Sequence, residues 1–331
     1  MKRLAGSLLM LIVVGGAASF FAAQYLLDRF EGPGPLQAEQ VFIISKGAGV
    51  AEIARDLETA GIIDDRRIFR LGVRYLELGR DMKVGEFILP AAVSMRNAAQ
   101  IIASGKTVVH RITIPEGQTS QEIIEILAAE PLLQGEITTI PPEGSLLPET
   151  YHFSRNDTRQ AMLERMSAAM SELLAELWPA RAEGLPIATP EEVVILASIV
   201  EKETGQSDER ALVAGVFVNR LKKKIPLQSD PTVIYGITLG KAPLERALSR
   251  KDLKTATPYN TYSIQGLPPG PIANPGRTAL EAVMAPAETD FIYFVADGSG
   301  GHAFAKTLKE HNRNVAKWRK IEASQKAKTA D

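Results

Sequence analysis

An uncharged apolar run over residues 4–27 follows two cations at the start of the chain and constrains the fold more than any other feature. As a helix, this run is long enough to cross about 30 Å of hydrocarbon. The cations before it predict a cytoplasmic N-terminus, with everything after Asp28 outside the cytoplasm. A cleaved signal peptide, with small residues 17–23 as its cleavage region, and a buried core helix are the alternatives. Because the run exceeds the about 7 to 15 apolar residues of a signal core, the pattern favours a transmembrane anchor over residues 1–28.

The rest of the composition is that of a globular protein with room for two domains. The chain has 331 residues, of which 45% are apolar and 23% are charged. A formal net charge of -1, with no basic run interleaved with aromatic residues, argues against nucleic acid as a partner. The chain has no cysteine, which excludes disulfides and thiol catalysis but does not decide the compartment.

Motifs for metal, nucleotide or serine-nucleophile chemistry are missing from the sequence. The four histidines form no i, i+4 pair and no HExxH pattern, so we predict no metal site. No GxSxG elbow and no phosphate-binding GxxxxGKS or GxxxxGKT loop occurs, and we expect no cofactor. Residues 291–298 are β-rich and predict a strand closed by a turn. His302, just after this turn, could line a cleft, but the pattern favours a turn residue.

Strands and helices are predicted to be mixed along the rest of the chain, which makes the fold class α+β. Residues 29–39 carry Gly and Pro without periodicity and predict a linker. Residues 40–115 alternate β-rich runs with short amphipathic helices, beginning with a strand over 41–44, and predict a small α/β module. Longer helices and proline-rich loops follow over 116–320, and the basic tail 321–331 is interpreted as a solvated helix end.

The stretch "TPEEVVILASIVEKETG" predicts a helix that ends near two glutamates. Thr189 as N-cap, Pro190 at the first helical position and Glu192 closing a capping box mark its start. At 100° per residue, Glu203 shares a face with large apolar residues, whereas Glu201 points to the opposite side. Burial on that face and the negative end of the helix dipole would both raise the pKa of Glu203. A glutamic acid that stays protonated near neutral pH is suited to general acid catalysis.

Geometry on this helix leaves other interpretations open. Both glutamates could be solvated surface groups, or Glu203 could pair with Arg210 or Lys202. Since surface and paired carboxylates greatly outnumber catalytic ones, the choice depends on the surroundings of the helix.

Two polar loops with several prolines follow this helix, in "PLQSDPTVIYG" and "TPYNTYSIQGLPPGPIANPG". Such segments lose little conformational entropy on binding and present amide, hydroxyl and aromatic groups suited to sugars. The alternative is that they are ordinary surface turns capped by Asp and Asn side chains. The candidate cleft residues in them are Gln228, Asp230, Tyr259, Asn260, Thr261 and Tyr262.

Four motifs occur in a characteristic order behind the apolar segment: "ASIVEKET", "LQSDPTVIYG", "YNTYSIQGLPPGPIANPG" and "YFVADGSGGHAF". Together they closely resemble the YceG-like endolytic murein transglycosylases (MltG family). The resemblance implies a single-pass inner-membrane protein with its bulk in the periplasm, a LysM-like module over 40–115 and a catalytic domain over 116–320. Its implied partners are peptidoglycan glycan strands and the inner membrane, and association with peptidoglycan synthases is left open.

The resemblance also implies roles for individual residues. The essential acid of the family is the second glutamate of an E-K-E triplet, which falls on Glu203. The implied substrate cleft adds Glu149 and Tyr151, in "LLPETYHF", to the loop residues Gln228, Asp230 and 259–262.

The implied reaction cuts the β-1,4 bond between N-acetylmuramic acid and N-acetylglucosamine of nascent glycan strands without consuming water. Glu203 would protonate the bridging oxygen and then deprotonate the muramoyl C6 hydroxyl, which closes a 1,6-anhydro ring. The substrate's acetamido group can assist, so a second enzymic carboxylate is not obligatory. The alternatives are a non-catalytic peptidoglycan-binding scaffold anchored in the membrane, and a muramidase that uses water.

Overall fold

The computed structural model describes residues 2–329 of the chain, and the side chains of residues 10–325. These residues form two compact units. The first unit holds the chain up to His110 together with His152–Asn156, and the second holds Arg111–Tyr151 and the chain from Asp157 onward. Both units mix helices with short strands, so the predicted α+β class is confirmed.

The first unit is built from a long N-terminal helix and a small module of two strands and three helices. Its elements are α1 (Lys2–Glu31), β1 (Gln40–Ile44), α2 (Val50–Thr59), α3 (Arg66–Tyr75), β2 (Gly85–Leu89) and α4 (Met95–Ser104). Strands β1 and β2 pair antiparallel, with Phe42 opposite Phe87. The predicted strand over 41–44 is therefore confirmed. The apolar faces of α2, α3 and α4 enclose the inward side chains of these strands in one core.

Helix α1 confirms the predicted N-terminal helix. Within the described residues, Met10–Glu31 is the one helical stretch long and apolar enough to cross a membrane. The large apolar side chains of its first half, such as Phe20 and Phe21, are exposed. Near its end the helix enters the core of the first unit through Phe30, which is buried.

The second unit surrounds one apolar helix with other helices and closes with a hairpin. Its elements are α5 (Ser120–Ala129), α6 (Arg159–Leu177), α7 (Pro190–Glu203), α8 (Arg210–Lys222), α9 (Asp230–Thr238), α10 (Arg250–Lys254), α11 (Arg277–Met284), β5 (Tyr293–Ala296), β6 (His302–Ala305) and α12 (Leu308–Thr329). Helix α7 packs against α8, α9 and α11, and the hairpin β5–β6 packs against α8 and α12. The predicted strand over 291–298 is confirmed in its central part as β5.

Two further strands, β3 (His110–Thr113) and β4 (Thr150–Phe153), pair with each other. The division between the two units falls within both strands. The segment between them includes α5 and a long irregular stretch in which the side chain of Glu143 accepts a hydrogen bond from Ser120 N (2.8 Å).

Candidate active site

Helix α7 brings both candidate glutamates to the same end of the second unit. Its start is close to that predicted, since Thr189 Oγ1 accepts from Glu192 N (3.3 Å) and Pro190 is the first helical residue. The predicted capping box is only half present, because the Glu192 carboxylate accepts from Ala188 N (2.6 Å) and not from Thr189 N. The helix ends at Glu203, where the chain turns to extended backbone.

The two sides of α7 that carry Glu203 and Glu201 do not differ in burial. The residues in line with Glu201, such as Ala197 and Ser198, are as fully buried as those in line with Glu203, such as Ile199 and Val200. Helices on several sides enclose α7, so both of its sides lie in the core. The two glutamates differ in their hydrogen-bond partners and not in the burial of the residues beside them.

Glu201 is held in a buried ion pair. Its side chain is 4% exposed, and Oε1 accepts from Arg210 (2.8 Å) while Oε2 accepts from Gly276 N (3.0 Å). Arg210 also donates to Glu116 (2.9 Å). The alternative that Glu203 pairs with Arg210 is therefore wrong. Lys202 does not pair with Glu203 either, since its Nζ donates to the carbonyl of Gly117 (3.2 Å).

Glu203 lines a cleft of about 470 Å³ on the second unit. Its Oε1 accepts a hydrogen bond from Ser229 Oγ (2.5 Å). Burial raises the pKa of Glu203 to about 7, the nearby Asp230 adds to the rise, and the Ser229 hydrogen bond with the charges of His302 and Arg220 opposes it. Near neutral pH the carboxyl is thus partly protonated and able both to donate and to accept a proton.

The backbone of Ser229 is held in place by buried threonine hydroxyl groups. Ser229 is 1% exposed, and its backbone N donates to Thr261 Oγ1 (2.9 Å). Thr261 Oγ1 is also within 2.8 Å of Thr232 Oγ1, so the start of α9 is tied to the 259–262 loop. Gln228, just before, adopts a left-handed backbone conformation (φ 52°) that turns the chain into this position.

Asn260 shapes the loop that faces Ser229. Its side chain is fully buried and donates to the carbonyls of Leu253 (3.1 Å) and Thr255 (2.7 Å). Its Oδ1 accepts from Tyr262 N (2.9 Å), and the Tyr262 hydroxyl donates to Asp230 Oδ1 (2.6 Å). Tyr262 and Asp230 both line the cleft beside Glu203.

A cation and several aromatic rings also line the cleft. Arg220, on α8, donates through Nε to the carbonyl of Ile292 (2.7 Å), and its guanidinium lies 5.3 Å from the ring centre of Tyr293. Tyr293 stacks on His311 at 5.0 Å. His302 pairs through Nδ1 with Glu209 (2.7 Å). The cleft therefore offers a proton donor, charged groups and flat ring faces in one place.

The sequence matches the model of the YceG-like family over residues 42–317. The chain belongs to the YceG-like family. A Bacillus subtilis (strain 168) protein named endolytic murein transglycosylase is 30% identical over 338 residues, covering 93% of this chain and 91% of the relative. A relative with the same name from Streptococcus pneumoniae (strain D39) is 30% identical over 94% of this chain, which spans 64% of that protein.

A solved structure also resembles this YceG-like chain. The crystal structure of a protein described as yceG-like, from Listeria monocytogenes, superposes with a TM-score of 0.52 at 29% identity. The match covers 84% of this chain and 99% of the Listeria chain.

In this YceG-like chain, the cleft brings together four of the predicted site residues: Glu203, Gln228, Asp230 and Tyr262. Asn260 and Thr261 lie behind it, fully buried. The ring of Tyr259 lies against that of Tyr235 in a tilted arrangement, with ring centres 4.8 Å apart, and Tyr259 does not line the cleft.

Glu149 and Tyr151 lie outside the lining of this cleft. The carbonyl of Glu149 accepts from Ile114 N (3.0 Å), which continues the pairing of β3 and β4. The Tyr151 hydroxyl donates to the carbonyl of Leu147 (2.7 Å), and burial raises the pKa of Tyr151 to about 12.

Three residues in or directly behind the cleft are not among the site residues that the sequence predicts. Ser229 lies between the predicted site residues Gln228 and Asp230 in "QSD", and this position is the sequence feature that could have indicated it. Arg220 lies near the end of the largely buried helix α8, where no sequence pattern distinguishes it. His302 was expected to be a turn residue, which is wrong, because it begins β6 and lines the cleft. Among the described residues, no three His, Asp or Glu side chains converge as metal ligands.

Proposed function

We propose that this chain is an endolytic murein transglycosylase in which Glu203 is both the general acid and the general base. The curated relatives carry that activity in their names, and one of them is matched over 91% of its length. The observation that carries the role of Glu203 is its place in the cleft with a pKa of about 7, whereas Glu201 is engaged by Arg210.

The proposed reaction balances without water. The Glu203 proton passes to the bridging oxygen as the bond from the muramoyl C1 to that oxygen breaks, which releases N-acetylglucosamine with a free 4-hydroxyl. The C6 hydroxyl of the muramoyl residue then attacks C1 and gives its proton to Glu203. A 1,6-anhydro ring forms, and Glu203 ends protonated, as it began. The substrate's acetamido group assists the departure at C1.

Neighbouring groups match both halves of this cycle. Asp230 favours the protonated carboxyl needed first, and the Ser229 hydrogen bond stabilises the carboxylate needed second. A pKa close to the working pH keeps both forms accessible. Gln228, Asp230 and Tyr262 are proposed to contact the sugars. Asn260 and Thr261, which lie behind the cleft, are proposed to hold these side chains in position.

Replacing Glu203 by Gln is the direct test. The amide can still accept from Ser229 Oγ but cannot transfer a proton, so we expect loss of anhydromuropeptide release of about 100-fold or more. Product mass spectrometry on purified glycan strands is the measurement. Glu191→Gln, the same change at the exposed start of the same helix, is the matched control and should keep full activity.

The alternatives give different products in the same assay. A muramidase would release fragments heavier by one water than the anhydro products. A non-catalytic scaffold would retain glycan strands without cutting them. Undiminished release by the Glu203 variant would remove this residue from the mechanism while leaving the activity to be assigned elsewhere.

The proposed location follows from α1. We place the protein in the inner membrane as a single-pass anchor, with its N-terminus in the cytoplasm and the second unit in the periplasm, because Met10–Glu31 can span and cations precede the apolar run. The LysM-like identity of residues 40–115, the catalytic domain 116–320 and an association with peptidoglycan synthases stay predictions. A C-terminal reporter active only in the periplasm tests the topology.

A further inference from the structure

The end of α1 is docked on α3 by a contact that only glycine permits. Phe30 is 3% exposed, and its ring occupies the space where a Cβ at Gly72 would lie. Arg96 places its guanidinium 5.9 Å from the centre of the same ring. Two ion pairs flank this contact, from Arg29 to Asp64 (2.5 Å) and from Arg96 to Glu31 (2.7 Å). Helix α1 is thus packed onto the first unit directly after its apolar run ends.

This docking places α3 beside the final apolar turn of α1. Leu26 and Leu27, which end the uncharged run, share an apolar groove with Leu71 and Tyr75 of α3. Leu71 is 57% exposed and Tyr75 is 75% exposed. Where α1 leaves the hydrocarbon, these two side chains lie at the level where apolar and tyrosine side chains are enriched in membrane proteins.

Three arginines lie next to these apolar side chains on the same helix. Arg67, Arg70 and Arg74 are exposed and make no ion pair among the described residues, whereas Arg66 pairs with Glu58 (3.5 Å). At 100° per residue, the three arginines with Leu71 and Tyr75 occupy one arc of about 140°.

The opposite face of α3 is buried in the core of the first unit. Arg67, Arg70 and Arg74 line an open groove that also contains Arg80 and one acidic side chain, Glu77. The groove is therefore net cationic. A helix with exposed arginines beside exposed Leu and Tyr side chains has the composition of a membrane-surface helix.

We infer that α3 lies in the headgroup region of the bilayer, where Arg67, Arg70 and Arg74 bind the phosphates of anionic phospholipids. Leu71 and Tyr75 enter the boundary of the hydrocarbon. The occupant is lipid because the surface is continuous with the membrane-spanning helix and its charge complements anionic headgroups. This inference rests on the proposed anchoring by α1. It fixes the height and orientation of the first unit at the membrane surface.

Depth measurements on the full chain test the position of α3. Because the chain has no cysteine, Leu71→Cys and Tyr75→Cys can each be labelled at one site with an environment-sensitive fluorophore. Ser104→Cys, at the exposed end of α4, is the matched control. In phosphatidylcholine and phosphatidylglycerol vesicles, lipids with a quencher near the headgroup should quench labels 71 and 75 at least about twofold more than label 104.

Charge removal tests the role of the arginines. A variant with Arg67→Gln, Arg70→Gln and Arg74→Gln loses the proposed phosphate contacts, and we expect each change to shift the docking equilibrium by roughly fivefold. Raising the phosphatidylglycerol fraction should increase quenching at position 75 in the parent chain but not in this variant. A control with the same charge loss on α12 is Arg313→Gln, Lys317→Gln and Lys320→Gln, whose quenching should follow that of the parent.

Flotation with the vesicles separates the two proposals. A chain that does not float contradicts the anchoring by α1 itself. A chain that floats while labels 71 and 75 are quenched no more than label 104 overturns the position of α3 and leaves the anchoring intact. Quenching that is independent of phosphatidylglycerol, or unchanged in the triple arginine variant, overturns the phosphate contacts.

Discussion

The proton affinity of Glu203 depends on neighbours that act in opposite directions. Burial raises its pKa to about 7 and the charge of Asp230 adds to this, while the Ser229 hydroxyl, His302 and Arg220 lower it. Under the proposed mechanism the free enzyme needs this carboxyl protonated, so kcat/KM should fall as pH rises through about 7.

Substitutions at two neighbouring positions should move the alkaline limb of the pH profile, where kcat/KM falls, in opposite directions. Ser229→Ala removes a hydrogen bond that favours the carboxylate, so the limb should shift to higher pH. Asp230→Asn removes a repelling charge, so the limb should shift to lower pH. The measurement is kcat/KM against pH on un-cross-linked glycan strands. The pH at which kcat/KM falls is compared between variants, and not its maximum value. Glu191→Gln should leave the limb in place, and parallel shifts of the two variants would contradict this assignment.

At the residue scale, the sequence singles out Glu203 as a candidate but does not predict the side chains that surround it. The predicted burial that raises the pKa of Glu203 is found, but burial of the neighbouring residues does not by itself distinguish Glu203 from Glu201, since both sides of α7 are buried. The distinction arises from Arg210, which reaches Glu201, and from Ser229, which reaches Glu203 from 26 positions along the chain. No local periodicity carries such long-range contacts, and this is also why Arg220 could not be predicted.

At the scale of elements, local signals predicted helix ends well and strand pairing poorly. Gly105, directly after α4, adopts the left-handed conformation (φ 71°) that glycine favours, so the glycine itself is a local signal for the end of the helix. By contrast, β6 has only four residues, "HAFA", and its two-residue period is too short to recognise. The hairpin that carries His302 into the cleft was therefore missed.

Removing one partner of the buried ion pair between α7 and α8 should destabilise the chain much more than removing one partner of a pair at the surface. Arg210→Met would leave Glu201 buried without its cation, which is expected to cost about 3 to 5 kcal/mol. Arg277→Met is the matched control, because its partners Glu176 and Glu281 are exposed, and it should cost less than about 1 kcal/mol. Urea unfolding followed by tryptophan fluorescence measures both, and equal losses would contradict a special role for the buried pair.

At the scale of the whole molecule, the division into two units could not be predicted in full. The first unit includes residues 152–156, which follow residues 111–151 of the second unit along the chain. Arg155 from this segment donates to Glu86 (2.6 Å), a separation of 69 positions along the chain. Composition and periodicity locate a module of strands and short helices. They cannot show that an arginine distant in the chain supplies the positive charge that pairs with Glu86.

This distant contact gives a prediction about the stability of the first unit. Burial acts to raise the pKa of Glu86, but hydrogen bonds from His110 and Arg155 outweigh it and hold the pKa below its ordinary value of 4.5. Such a carboxylate stabilises the fold above about pH 4.5 and loses that contribution as the pH falls through its lowered pKa. Arg155→Met should therefore destabilise the unit at neutral pH and have less effect in acid.

Amide hydrogen exchange of peptides from residues 40–104 is the suitable readout, because it reports the opening of this unit separately from the rest of the chain. At neutral pH we expect Arg155→Met to speed exchange in these peptides by roughly tenfold or more, as the loss of a charged hydrogen bond to a buried group costs about 1.5 to 3 kcal/mol. Arg55→Met, which removes an exposed pair with Asp56 in the same unit, is the control and should change exchange little. If exchange in the two variants were alike, residues 152–156 would only lie against the first unit, whereas a selective effect of Arg155 would make this segment part of its cooperative fold.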